Sequence, residues 1–185
     1  MNWIAGALLS ALLFSLVSIL DKRLVSNLFP NFTTFNITFA LLQLVIAAAF
    51  FIGVIPTVGF DGGDGIAWAA ASGLLWAIAL SLIFYALSIE EVSRVAPMQS
   101  AAPVFTAIIA VTFFDDVVTP SQWVAILVIV SAAVMINLRR IDGRYRIARG
   151  KAFVGMMAAA LVLAMAFIVS DEATDRMNIW ATQGF

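Results

Sequence analysis

Neither cysteine nor histidine occurs anywhere in this chain. The first absence excludes disulfides and thiolate chemistry. The second removes His-dependent acid–base work, Ser–His triads and most zinc sites in one step. Charge is scarce as well: 11% of the residues are Asp, Glu, Lys or Arg, against about 25% in a soluble domain. What is left is 63% hydrophobic with a mean hydropathy of +1.06, and that excludes an ordinary water-soluble domain. The ~10-residue alternation of apolar and polar positions that marks a membrane β-barrel is also missing. Nothing in the pattern implies a cofactor, a metal or a nucleic-acid partner.

Six long runs without a charged residue fill the sequence: Trp3–Leu20, Thr33–Ile55, Ile66–Ile89, Val95–Phe114, Val117–Leu138 and Ala152–Ser170. Each is close to the ~20 apolar residues that a helix needs to cross ~30 Å of hydrocarbon. Backbone groups in lipid must pair within their own segment, so the expected fold is all-α, a polytopic membrane helix bundle of about six spans. Lys22, Arg23, Arg94, Arg139, Arg140, Arg144, Arg146, Arg149 and Lys151 follow runs one, three and five. Asp61, Asp64, Asp115, Asp116, Asp171, Glu172 and Asp175 follow runs two, four and six, with Arg176 the one basic residue there. This is a positive-inside pattern, with the basic gaps in the cytoplasm and the N-terminus outside. Lys22 and Arg23 come after the first apolar run, the reverse of a signal peptide, so run one reads as a retained span.

Local signals place the ends of the spans. Asn27 to Asn31, with Pro30, reads as a turn, and Pro56 stops span two. Thr119-Pro120-Ser121-Gln122 is a helix start: Thr as N-cap, Pro at the first helical position, Gln three residues beyond the cap. Trp3, Trp68, Trp123 and Trp180 lie near span ends, as interfacial anchors do, whereas Trp76 lies inside span three. Gly6-Ala-Leu-Leu-Ser-Ala-Leu-Leu-Phe and Gly155-Met-Met-Ala-Ala-Ala-Leu-Val-Leu resemble one another and precede charges of opposite sign. If they are one element repeated, the copies cross the membrane in opposite directions, as inverted transporter repeats do. Two Ala/Leu-rich helices also resemble each other by composition alone.

Phe84-Tyr85-Ala86-Leu87, Ala96-Pro97, and Ala102-Pro103-Val104-Phe105-Thr106-Ala107 together resemble the EamA-type domain of the drug/metabolite transporter superfamily. Asp116, Thr119 and Gln122 stand where that family has an acidic residue and Thr before its fifth helix, although Asp115-Asp116 replaces the usual Gly-Glu. The specific part of the resemblance covers roughly residues 68 to 138. It implies ten helices in two inverted five-helix repeats around a pathway for small organic solutes. On that reading residues 1–140 form the first repeat, 141–151 a basic cytoplasmic linker, and 152–185 the first helix of a second, truncated repeat. About four further helices, or a second copy, would then be needed to complete the pathway. Family members commonly keep the N-terminus in the cytoplasm, which disagrees with the charge pattern here.

Polar groups in mid-membrane usually face a cavity or another helix. Gln99 and Ser100 lie between Pro97 and Pro103, which remove backbone donors and so mark either a solute-coordinating kink or a packing kink. Trp76 and Tyr85 could offer aromatic walls, but nine residues is about two and a half turns, so they do not share one face. Gln43 is a candidate too, with interhelical hydrogen bonding as the plainer account. Ala69-xxx-Gly73-xxx-Ala77 and Ala102-xxx-Thr106-xxx-Ala110 read as packing stripes. Asp61-Gly62-Gly63-Asp64-Gly65 reads as a flexible turn, and Asp115 and Asp116 suit the helix dipole of span five. The glycosylation-like Asn31-Phe32-Thr33 and Asn36-Ile37-Thr38 lie on the cytoplasmic side or in the membrane and are set aside.

The expected function is a secondary transporter moving a small organic metabolite or drug-like solute by alternating access in a bacterial cytoplasmic membrane. The expected substrate-binding residues are Gln99, Ser100, Trp76, Tyr85 and Gln43, with Pro97 and Pro103 shaping the moving helix. A membrane scaffold is the alternative. An intramembrane hydrolase, built on paired Asp or Ser–Lys, is a more distant one.

Overall fold

The computed structural model describes residues 3–53, 56, 63–99, 101–113, 117–141, 144–147, 150–177 and 182. Each of the six apolar runs is helical. Helix α1 spans Trp3–Arg23 and passes into a π-helical turn, Leu24–Leu28; α2 spans Phe32–Gly53 and α3 spans Gly65–Ile89. The fourth run is broken into α4, Val92–Gln99, and α5, Ala102–Phe113. Helix α6 spans Pro120–Asn137 and α7 spans Lys151–Arg176. Helices α2, α3 and α7, and the broken pair Val92–Phe113 taken together, are long and apolar enough to cross a bilayer. The protein is an all-α polytopic membrane bundle. Where a basic loop was expected, β1 (Leu138–Ile141) and β2 (Arg144–Ile147) pair antiparallel in the register Leu138↔Ile147, Arg139↔Arg146.

The helix starts follow from single side chains. Asn31 caps α2: its Oδ1 accepts from the Thr34 backbone N–H at 2.8 Å and from the Thr34 hydroxyl at 2.9 Å. At α6 the Gln122 Oε1 accepts from the Thr119 N–H at 2.7 Å and from the Thr119 hydroxyl at 2.8 Å. Both arrangements occupy backbone donors that an isolated helix leaves open. Pro97 lies inside α4, while Pro103 is the second residue of α5, a position where a missing N–H costs little. Between the two halves the Ala101 N–H bonds the Met98 carbonyl at 3.1 Å, a tight turn in place of a helical one.

Helices α3 and α7 form the spine of the bundle. Buried residues on α3 fall at Gly65, Ala69, Ser72, Ala79, Ile83 and Ala86, and on α7 at Ala152, Met156, Ala159, Leu163, Ala166 and Ala173. With Trp76 and Ser170 in the gaps, the steps alternate four and three, the repeat of a left-handed helix pair. The two run antiparallel: Gly65 meets Met177, the Ser72 hydroxyl donates to the Ala166 carbonyl at 3.3 Å, and Gly155 faces Tyr85. Lipid tails are as apolar as leucine, so burial alone does not join helices here; small side chains let the backbones approach and gain close contact. The expected stripe Ala69-Gly73-Ala77 is therefore displaced. Ala69 packs in the seam, but Gly73 and Ala77 lie on the neighbouring face and line a cavity.

The main core lies at one end of the spine, where Val25, Phe35, Phe84, Leu87, Val95, Met98, Ala152 and Met156 cluster. Phe84 is 2% exposed, and its ring meets Phe35 at 4.9 Å and Phe39 at 4.8 Å, both edge-to-face. Outside this core, α1, α2 and α6 present exposed leucine, valine and isoleucine, as lipid-facing helices do. Charged contacts mark the two ends of the spine. Lys22, at the end of α1, reaches the Leu87 and Glu90 carbonyls at the end of α3, beside the start of α7. At the opposite end Trp68 lies beside Arg176, whose guanidinium is 5.4 Å from the indole centroid. Helices α1 and α7 thus cross in opposite directions.

Candidate functional site

A cavity of about 650 Å³ opens between α2, α3 and α7. On α2 its lining is Asn36, Phe39, Ala40 and Gln43, residues at i, i+3, i+4 and i+7 and therefore on one face. From α3 come Ala69, Ser72, Gly73, Trp76, Ala77, Leu80 and Ser81, again one helical face, and from α7 come Phe167 and Ser170. Thr182 closes one side. Gly73 and Ala77 make room by lacking bulk, so the cavity is the space left where the α3 side chains are smallest.

The polar groups are of one kind, amide and hydroxyl. Asn36 Nδ2 donates to Ser81 Oγ at 3.1 Å, and Ser81 Oγ donates to the Ala77 carbonyl at 2.9 Å. This ties α2 to α3 near the end that carries Lys22. Ser72 is turned to the Ala166 backbone. The Gln43 side chain is exposed and makes no hydrogen bond among the described residues. No lining residue among those described is charged.

Aromatic rings form the walls and are held from behind. Trp76 meets Phe167 edge-to-face at 5.4 Å, and Phe39 meets Phe84 at 4.8 Å. Trp76 also packs against the cluster of Ala79, Ala102, Ala160 and Leu163. Its indole therefore stands between the cavity and the first residue of α5, just after the break in the fourth span.

Of the residues expected from sequence, Gln43 and Trp76 come together on this cavity. Tyr85 lies elsewhere, near the Lys22 end, with its ring 5.8 Å from Phe32. Gln99 is half-buried at the end of α4 and is not part of the lining, and Ser100 lies outside the described residues. Asp64 is exposed on the turn before α3, while Asp61, Asp115 and Asp116 fall outside the described residues. Asn36, Ser72, Ser81, Ser170, Phe39 and Phe167 were not anticipated. The signal for one of them was present. Asn36 and Gln43 are seven apart, two turns of one helix, and their shared face on α2 marks an interior one.

The profile of the EamA-like transporter family matches residues 1–138. A protein from Sinorhizobium sp, described as an uncharacterized transporter in the cobO 3' region, is 26% identical over 135 residues, covering 73% of this chain and 96% of that protein. No solved structure shows significant similarity to the chain.

Proposed function

This chain belongs to the EamA-like transporter family, and on that footing we propose that it moves a small organic solute across a bacterial cytoplasmic membrane by alternating access, with the α2–α3–α7 cavity as the solute site. The observation that carries this reading is the polar stripe of Asn36, Gln43, Ser72 and Ser81 facing one interior space in an otherwise apolar bundle. A volume of about 650 Å³ falls within the ~300–1,000 Å³ usual for small-molecule sites. Gln43 and Trp76 take the leading binding roles.

The bundle divides naturally into a fixed and a moving part. The α3–α7 seam runs along the whole pair, whereas α2 meets it at two places: the Asn36–Ser81 bond with the Phe35, Phe39 and Phe84 rings at one end, and Phe50 and Phe51 against Ala69, Ala173 and Met177 at the other. Motion of α2 against the spine would open the cavity to one face and then the other. Pro97 and Pro103, which interrupt the fourth span, let α5 shift with Trp76. The basic face, with Lys22, Arg94 and the β-hairpin, is assigned to the cytoplasm. No covalent step enters this reading.

The absence of cysteine makes the test clean, because any introduced thiol is unique. Gln43→Cys and Ser170→Cys should each react with a membrane-impermeant maleimide applied from either side of the membrane. Leu44→Cys, on the exposed flank of α2, should stay unlabelled in lipid. A scaffold with a dry interior would leave both cavity thiols unreactive, and that result would sink the transporter mechanism.

A further inference from the structure

Building on the cavity reading, we propose that this site selects solutes that carry no net charge and present a planar ring with a primary amide or an equivalent paired donor and acceptor, and that it discriminates against their carboxylate counterparts. Three observations converge on that class.

The first is electrostatic. Among the described residues, no Asp, Glu, Lys or Arg lines the cavity. Three cations toward its two ends are engaged elsewhere: Lys22 on the Leu87 and Glu90 carbonyls, Arg94 on Glu90, and Arg176 on Glu172 and the Trp68 ring. The described residues at the α4–α5 break, Gln99, Ala101 and Ala102, whose helix ends could serve an anion through their dipoles, are not part of the lining either. A carboxylate entering here would give up its water and meet no countercharge, the costly case for an ion inside a membrane protein.

The second is hydrogen bonding. Gln43 offers an N–H donor and a C=O acceptor side by side, and among the described residues neither is taken. A primary amide, or the edge of a lactam ring, matches that pair with one acceptor and one donor. A carboxylate supplies acceptors alone and leaves the Gln43 carbonyl without a donor, and a site built on a donor–acceptor pair discriminates through that mismatch.

The third is shape. Trp76 and Phe39 are braced by Phe167 and Phe84 in edge-to-face contacts. Their exposed surfaces are therefore fixed before a ligand arrives, and flat rings fill such a slot at low conformational cost.

The experiment uses the Ser170→Cys protein in native membranes and follows its rate of alkylation by an impermeant maleimide. Nicotinamide is compared with nicotinate, and benzamide with benzoate, at equal concentrations. The expected result is that an amide slows labelling at a concentration at least ten-fold lower than its carboxylate partner. If the thiol labels but the carboxylates protect equally or better, or nothing protects, the selectivity inference is overturned while the cavity reading stands. A thiol that never labels from either face overturns the cavity reading, and the inference falls with it. Gln43→Lys on the same background supplies the missing countercharge and should invert the preference toward nicotinate. If that variant still prefers amides, charge is not what discriminates and the proposal fails.

Discussion

The ammonium of Lys22 donates to the Leu87 carbonyl at 2.6 Å and to the Glu90 carbonyl at 3.0 Å, so the last turn of α1 closes the last turn of α3. The end of a helix carries carbonyls without intrahelical partners and a partial negative charge, and a lysine satisfies both needs. Lys22→Met should lower the stability of the detergent-solubilised protein by about 2 kcal/mol, the scale of a charged hydrogen bond. Lys22→Arg should recover part of that loss. Thermal unfolding followed by circular dichroism measures both, and equal melting temperatures for Lys22→Met and the parent would show that the contact contributes nothing.

Ala77 and Ala79 are two residues apart and face different surroundings: Ala77 lines the cavity, and Ala79 is fully buried beside Ala102, Ala160 and Leu163. Enlarging each to leucine should therefore have opposite consequences. Ala79→Leu overpacks the seam and should cost about 1–3 kcal/mol. Ala77→Leu should leave the melting temperature near that of the parent while reducing solute flux and the reactivity of a cysteine at Gln43. Two variants with the same thermal loss would show that Ala77 is packed and not facing open space.

The Asn36–Ser81 pair links the helix proposed to move to the helix proposed to stay. Interhelical hydrogen bonds in membranes average about 0.6 kcal/mol in double-mutant cycles. A cycle of Asn36→Leu and Ser81→Ala should return a coupling of about that size in stability, together with a change in transport rate larger than the stability loss explains. A coupling indistinguishable from zero in both readouts would remove this pair from the mechanism.

Much of this was legible in the sequence, and the reason is the bilayer. Hydrocarbon thickness fixes span length, and the sorting of basic from acidic loops fixes direction, so helix number and the opposed course of α1 and α7 could be read from runs and charges. The Thr119–Gln122 start of α6 was legible because a cap is a local event. Contacts between helices were not. Ala69, Gly73 and Ala77 carry the small-residue spacing of a packing stripe, yet the alternating steps of four and three choose Ala69, Ser72, Trp76 and Ala79. That choice depends on α7, roughly ninety residues away, and periodicity within α3 does not contain it. Asn36 heads a glycosylation-like triplet and also stands seven residues before Gln43, and only the second pattern bears on the cavity. Gln99 stands between two prolines, and a kink alone does not say which way a side chain is carried; the structure places it outside the lining of this cavity.

Gly65 is packed so closely that a methyl group there would stand 3.0 Å from the Met177 Cβ. Gly65→Ala should push apart the Trp68 end of the spine and cost about 1 kcal/mol, at the low end for overpacking because part of the methionine can move. Met177→Ala in the same chain should restore most of the loss. Failure of the second change to rescue the first would place the strain elsewhere.

The hydroxyl of Ser72 and the carbonyl it reaches on Ala166 are 94 residues apart in the chain. At ~5–20 residues per second, a ribosome needs roughly 5–20 s to deliver the second group after the first. Throughout that interval the Ser72 hydroxyl lacks the acceptor it will finally use. Biosynthesis thus imposes an order on assembly. The Phe84 core shares that dependence, because Ala152, Met156 and Ala159 of α7 belong to it and are also delivered late.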